Sequence, residues 1–217
     1  MAQHAPDAAS ESEARRVVIA DDHAPFRAAV AADLASSGFE VCAEAGDATA
    51  AVEAAVRERP DLCVLDVGMP GNGIAAARAI TSAVRETRVV MLSASRSDDD
   101  VIAAFEAGAV GYLLKDIEAG ALATALERIA AGEMEMPRRV AERLFSELGR
   151  PPRVSRFRRR RAPAELTSAE RTVLAALAAG RATADVAADL GIPRPLVRAH
   201  VDAILEKLRA RRASGPR

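Results

Sequence analysis

Short apolar runs recur along the first half of the chain at residues 17–20 (VVIA), 40–45 (EVCAEA), 62–65 (LCVL), 89–92 (VVML) and 110–114 (VGYLL). Ala-rich segments of helical length separate them. A strand that is apolar on successive residues, and not on alternate ones, is covered on both faces, so the pattern predicts βαβ units and a buried parallel sheet. Beyond residue 165 the period changes. Thr167 followed by Glu170 makes a capping box that opens a helix through Ala179, and Gly180 stops it. A second helix is predicted over 184–190 with Gly191 as the turn, and a third from about Pro193 to Arg209. In the third, Val197, Val201, Ile204, Leu205 and Leu208 fall on one stripe, which leaves Arg194 and Arg198 on the exposed face. A helix, a glycine turn and a basic-faced helix are the parts of a helix-turn-helix.

The strand-like runs end in polar residues: Asp21 and Asp22 after the first, Asp66 after the third, Ser93 after the fourth, Lys115 after the fifth. Ligands of open parallel sheets bind at the strand carboxyl ends, so these groups converge on one edge. A carboxylate attacks a phosphoryl group only when a divalent cation screens the repulsion between two anions, and Mg²⁺ takes a few carboxylates while keeping several waters. A Lys ammonium and a small hydroxyl suit the charge on the transferred oxygens. Any one of these residues serves equally well as a helix cap or turn former. The set of them describes a Mg²⁺-dependent phosphoryl-acceptor pocket.

With these residues in view, 15–131 resembles a response-regulator receiver domain, through the acidic pair in IADDH, the acceptor in LDVGMPG, Ser93 in MLSAS, and Tyr112 with Lys115 in AGAVGYLLKD. The resemblance implies a flavodoxin-like, doubly wound five-stranded parallel sheet. It also implies Asp66 as phosphoacceptor and Asp22 as direct metal ligand with Asp21 in support. The Gly68 carbonyl is a further ligand, Ser93 and Lys115 sense the phosphoryl group, and Tyr112 is a switching aromatic. Two departures stand out. The loop Met69-Pro70-Gly71-Asn72-Gly73 is one residue shorter than the family's spacing to its closing glycine, so a displaced start of the next helix is expected. Asp116 follows the lysine where the family commonly has proline.

Composition narrows the picture. Aromatics are 3% of the 217 residues, so the core must be Ala, Val and Leu. Cys42 and Cys63 fall in predicted strands and read as buried free thiols in a reducing compartment. No apolar run approaches the ~20 residues that span a bilayer, and residues 1–14 lack a signal-peptide core, so a cytoplasmic protein without membrane contact and with a disordered leader is expected. The formal charge of −1 hides a split. Residues 1–149 carry 14 Lys+Arg against 25 Asp+Glu, net −11, and residues 150–217 carry 16 against 6, net +10. An acidic front and a basic back point to a regulatory domain ahead of a nucleic-acid-binding one.

A connecting helix at 139–149 and the Pro- and Arg-rich stretch RPPRVSRFRRRRAPAE set a connecting region at 132–165, whose Arg158 to Arg161 run is either a phosphate contact or a solvated tether. Residues 166–217 form the second domain. It resembles the LuxR-type helix-turn-helix of the NarL/FixJ response regulators through Leu166-Thr167, Glu170, Leu174, Gly180, the 187–191 segment, and Val197-Arg198-Ala199-His200 with Ile204 and Lys207-Leu208. The resemblance makes Arg198 the leading DNA contact, with Ala199 close to bases and Arg194, His200 and Lys207 around it; for His200 an interface histidine is at least as good a reading. Asp202 stands one turn beyond Arg198, where the family often has a basic or amide residue. There it repels phosphates, and it instead accepts from a cytosine amine or pairs with Arg198. Residues 210–217 are too few and too rich in Gly and Pro to form the further helix common in such domains, which leaves the geometry of a DNA-bound homodimer open.

The sequence thus predicts a transcriptional response regulator, phosphorylated on Asp66 by a sensor histidine kinase and binding double-stranded DNA through 166–209, and not an enzyme. An orphan regulator that binds DNA without phosphorylation is the alternative within the class. An aspartate-nucleophile phosphohydrolase is the alternative outside it, disfavoured because such enzymes place the nucleophile in a DxD at the first strand, where this chain has adjacent acids.

Overall fold

The computed structural model describes residues 14–118, 120–148 and 165–214. The leader up to residue 13 and the Arg158 to Arg161 run lie outside the described residues. Five strands, β1 (Arg16–Ala20), β2 (Glu40–Ala45), β3 (Leu62–Asp66), β4 (Arg88–Ser93) and β5 (Gly111–Leu114), form one sheet in the order β2-β1-β3-β4-β5. Every pairing is parallel, as the unalternated apolar runs require. The helices α1 (Ala24–Ser36), α2 (Ala48–Glu58), α3 (Gly73–Ala83), α4 (Asp98–Glu106) and α5 (Ala121–Ala130) make the crossovers. Val18, Cys63, Leu65, Val89 and Met91 pack under α2, α3 and α4, and Val17, Ile19, Leu62, Val64 and Val90 pack under α1 and α5. Ala51, Ala54 and Ala55 let α2 lie close to the sheet, which is how a core with few aromatics is filled.

The helix α6 (Arg138–Leu148) buries Val140, Ala141, Leu144 and Leu148 against α7 (Ser168–Ala178). The capping box is formed in full: Glu170 N donates to Thr167 Oγ1 and Thr167 N to Glu170 Oε2. The helices α8 (Thr183–Leu190) and α9 (Arg194–Ser214) complete the domain, with Gly191 in the left-handed conformation at the turn. All five residues of the expected apolar stripe on α9 are buried. The helix differs from expectation in length. It continues five residues past Arg209, because Ala-Arg-Arg-Ala are good helix formers, so residues 210–214 prolong α9.

The two domains share one apolar cluster that runs from Val18 and Phe105 through Leu144 to Leu205. The segment between α5 and α6 adds to the free edge of the sheet: Glu135 N donates to Val110 O and Tyr112 N to Glu135 O, both at 3.0 Å. Met134 N donates to Thr183 Oγ1 at 3.3 Å, so the same segment touches α8.

Candidate functional site

The strand ladder places the polar ends. Asp66 is the last residue of β3, paired with Leu92, and Ser93 the last of β4, paired with Leu114. Both belong to strands that run one residue beyond their apolar stretches. Asp21 leaves β1 with its N donating to Ala45 O, and its Oδ1 accepts from His23 N at 2.9 Å, which fixes the carboxylate. Asp21 and Asp66 are buried while Asp22 is exposed, and one oxygen of each lies within 4.8 Å of the others. Lys115 Nζ lies 2.6 Å from Asp21 Oδ2 and 3.1 Å from Asp66 Oδ1. Burial disfavours the charged ammonium, but the Asp21 and Asp66 carboxylates outweigh it and hold the Lys115 pKa above its ordinary value. Lys115 N also donates to Ser93 O, which ties the β4 and β5 ends together.

Three carboxylates at this spacing, one of them open to solvent, fit a hard octahedral cation that retains waters. The Gly68 backbone sits beside Asp66: a methyl group there would lie 3.4 Å from Asp66 Oδ2. The shortened loop brings Gly73, the first residue of α3, against the end of β3. Asn72 takes a left-handed conformation (φ 71°) and caps α3 with its side chain, and a Cβ on Gly73 would fall 1.9 Å from the Asp66 carbonyl oxygen.

Tyr112 is buried, and its hydroxyl donates to Ser95 O at 3.1 Å. Ser93 Oγ accepts from Ser95 N at 3.0 Å. Asp116, in the place of the family's proline, forms an ion pair with Arg96 across the two loops. Sequence reasoning missed Phe26, whose ring centroid is 4.9 Å from Lys115 Nζ, and Arg27, which donates to the Asp21 carbonyl and to Glu44. Neither position carries a motif, since both depend on how α1 approaches the sheet.

The basic face of α9 is not free, contrary to expectation. Arg198 is half-buried and its Nη2 donates to Gly108 O at 2.7 Å. Arg194 Nη1 donates to Ala131 O at 2.8 Å, and Arg209 pairs with Glu106 at 3.2 Å. The cause is the docking of α9 on the receiver: Glu106 of α4 and the carbonyls of Gly108 and Ala131, which follow α4 and α5, attract the same guanidinium groups that suit DNA phosphates. Asp202 lies 3.9 Å from Arg198 Nε, so of its two readings this arrangement has the pairing one. Lys207 does not project with the others: its Nζ is 2.5 Å from the buried Glu170 Oε2. Ala199 is exposed and His200 half-buried. Also unforeseen were Arg139 and Arg143 of α6, which pair with Asp98 and Asp99 at the first turn of α4.

Residues 17–127 match the family described as the response regulator receiver domain, and residues 164–214 match the bacterial regulatory proteins of the luxR family. The chain belongs to the response-regulator family. This response regulator is 33% identical over 202 residues to the nitrate/nitrite response regulator protein NarL of Escherichia coli (strain K12), covering 92% of each chain. It is 33% identical over 196 residues to the transcriptional regulatory protein LiaR of Bacillus subtilis (strain 168), covering 89% of this chain and 90% of the relative. Among solved structures, a two-component response regulator of the LuxR family from Aurantimonas sp. SI85-9A1 is 31% identical with a TM-score of 0.57, over 64% of this chain and 100% of that one. The RcsB response regulator of Salmonella typhimurium, 22% identical with a TM-score of 0.54 over 90% of this chain and 92% of that one, shows the fold alone. The α/β receiver followed by a small helical LuxR-type domain is therefore the architecture expected from the sequence. Its relatives are transcription regulators, and among the described residues no helix is long and apolar enough to cross a membrane.

Proposed function

We propose that Asp66 accepts a phosphoryl group from a sensor histidine kinase, with Mg²⁺ held by Asp21, Asp22, Asp66 and the Gly68 carbonyl, and that this controls binding of α9 to double-stranded DNA. The observation that carries the reading is the placement of Lys115 Nζ on both Asp21 and Asp66, at the one sheet edge where Ser93 also ends. A carboxylate nucleophile, an acidic cation cradle, an ammonium and a hydroxyl are the parts that in-line phosphoryl transfer needs. The cation supplies charge neutralisation between the two anions; the chain's own residues do the rest. Asp66 Oδ attacks phosphorus as the bond to the donor nitrogen breaks, and Lys115 and Ser93 then turn from Asp66 and the loop toward the new oxygens.

Regulation follows from the position of Arg198. In this arrangement the receiver's Gly108 carbonyl takes the donor that a guanine edge or a phosphate would take. Phosphorylation draws Ser93 toward Asp66, and the loop after Ser93 carries Ser95, held by Tyr112, and leads into the α4 turn that holds Arg139 and Arg143. The same loop therefore connects the pocket to the helices that keep α9 docked. Pairing of two copies on DNA belongs to this reading.

Asp66→Asn abolishes labelling by acetyl phosphate with Mg²⁺, and Asp61→Asn retains it, because Asp61 lies at the opposite end of the sheet and accepts from Arg16 N. Binding isotherms on DNA then show tighter binding after phosphorylation of the parent and no change for Asp66→Asn. Arg198→Ala costs about 1–3 kcal/mol on the preferred sequence if it reads a guanine. Retained labelling in Asp66→Asn would sink the acceptor assignment, and parental DNA affinity in Arg198→Ala would sink the reader.

A further inference from the structure

The seam between receiver and α9 contains a cleft of about 890 Å³ into which Arg85 and Arg88 project from one domain and Arg198 from the other. The side chains of Arg85 and Arg88 have neither an ion pair nor a hydrogen bond among the described residues. Arg198 gives Nη2 to the Gly108 carbonyl, and its one carboxylate neighbour among the described residues, Asp202 at 3.9 Å from Nε, is a loose ion pair without a hydrogen bond. Of the two acids on the cleft, Asp61 Oδ2 is occupied by Arg16 N, and Glu86 is exposed at the rim. Burial pushes the Arg198 pKa down, Asp202 opposes this, and the nearby Arg88 pushes it further down. Docking of the domains thus brings together cations that nothing in the seam fully neutralises. Guanidinium groups facing a common space in a planar fork are the side chains best matched to phosphate oxygens.

We propose that this cleft binds a small phosphate-bearing anion, gripped by Arg85 and Arg88 of the receiver and by Arg198 of α9, and that the anion fastens the two domains in their docked arrangement. The consequence for DNA binding rests on the reading of Arg198 as a DNA contact. An anion held there occupies Arg198 and stabilises the state in which α9 is covered, so it opposes DNA from a site far from Asp66. It acts by mass action, in proportion to its occupancy of the docked form alone.

The test is calorimetric titration of the full chain with inorganic pyrophosphate and, separately, with ATP. EDTA and an Asp66→Asn background keep the phosphoacceptor pocket out of the measurement, and ionic strength is held constant. Saturable binding is expected, weakened about tenfold or more in Arg88→Ala, the loss that goes with one charge-assisted hydrogen bond. Pyrophosphate should also lower the affinity of the parent for a duplex of random sequence while leaving Arg88→Ala unaffected. Tighter binding of ATP than of pyrophosphate assigns a nucleotide, and equal binding assigns the phosphates alone. The absence of saturable binding by either probe, or equal binding by the parent and an Arg85→Ala/Arg88→Ala double variant, overturns the inference. In those cases intact DNA binding by Arg88→Ala leaves the function proposed above standing. Anion binding by a chain that takes up no DNA removes that function and keeps the cleft.

Discussion

Arg209 of α9 grips Glu106 of α4 twice, with Nε 3.2 Å from Oε2 and Nη2 donating to the Glu106 carbonyl at 3.0 Å. The pair flanks the contact of Arg198 with Gly108, so the C-terminal end of α4 and the basic face of α9 hold one another. Glu106 lies on the receiver, outside α9. Glu106→Lys replaces an attraction by a repulsion without altering α9. Since a half-exposed ion pair is worth about 0.2–1 kcal/mol, reversal should shift the docking equilibrium roughly fivefold. The unphosphorylated variant is expected to bind DNA more tightly than the parent and to scatter X-rays as a more extended particle. A variant as compact as the parent and no better at binding DNA would show that α4 does not restrain α9.

The acidic cradle leads to a metal prediction. Lys115 already neutralises part of the charge on Asp21 and Asp66, and Asp22 is the exposed member of the three carboxylates, so on the proposed cation site Asp22→Asn should weaken binding with little cost to the core. Mg²⁺ at a hundred times its dissociation constant adds about 2.7 kcal/mol by binding the folded state alone. Thermal melts should therefore rise with Mg²⁺, return on adding EDTA, and rise much less in Asp22→Asn. An equal rise in that variant would place the cation elsewhere.

What the chain discloses before folding depends on where each physical cause lies. Asp66, Ser93 and Lys115 are legible because a single polar residue closing an apolar run has few places to go but the strand end. The Thr167–Glu170 cap is legible because its partners are three residues apart. The burial of Arg198 is not: amphipathicity gives α9 one apolar and one basic face, and nothing local says that α4 will cover the basic one. Asp202 left two readings open, a base contact or Arg198, and only the folded geometry sets it 3.9 Å from Arg198. Lys207 shares a helix with Arg194 and Arg198, but its four-carbon stem reaches back to Glu170, whose position is fixed by a different helix.

That last pair predicts an effect on stability and not on DNA binding. Glu170 is buried and accepts from Lys207 Nζ and Thr167 N; burial alone would raise its pKa, and these donors overcome it and hold the carboxyl below its ordinary value. A depressed folded pKa gives stability that is present above the unfolded value of about 4.3 and is lost as pH falls through the folded one. Lys207→Ala leaves a buried carboxylate without its cation and should destabilise the helical domain by about 1–3 kcal/mol at neutral pH, with a smaller loss on acidification than the parent shows. Denaturant midpoints between pH 3 and 7 measure both. Parental stability with weakened DNA binding would return Lys207 to the phosphate contacts.

The closest backbone approach in the pocket gives the sharpest substitution. A Cβ at Gly73 would stand 1.9 Å from the Asp66 carbonyl oxygen and 2.8 Å from its carbon, so the first residue of α3 must be glycine for the shortened loop to reach the end of β3. The obstacle is backbone on both sides and no rotamer change relieves it. Gly73→Ala must push α3 away from β3, which opens the core under Ala76, Ala77 and Ile80 and moves Asp66 relative to Asp21. A loss of several kcal/mol is expected, in the range of core disruption. Gly120→Ala is the control: it has positive φ (76°) but nothing within 4 Å of an added methyl, so it carries backbone strain without a clash. That strain should cost no more than about 1–2 kcal/mol. Urea midpoints for the two variants, with acetyl phosphate labelling of whatever remains folded, distinguish the causes. Equal losses would mean that conformation alone, and not the approach to Asp66, requires glycine at position 73.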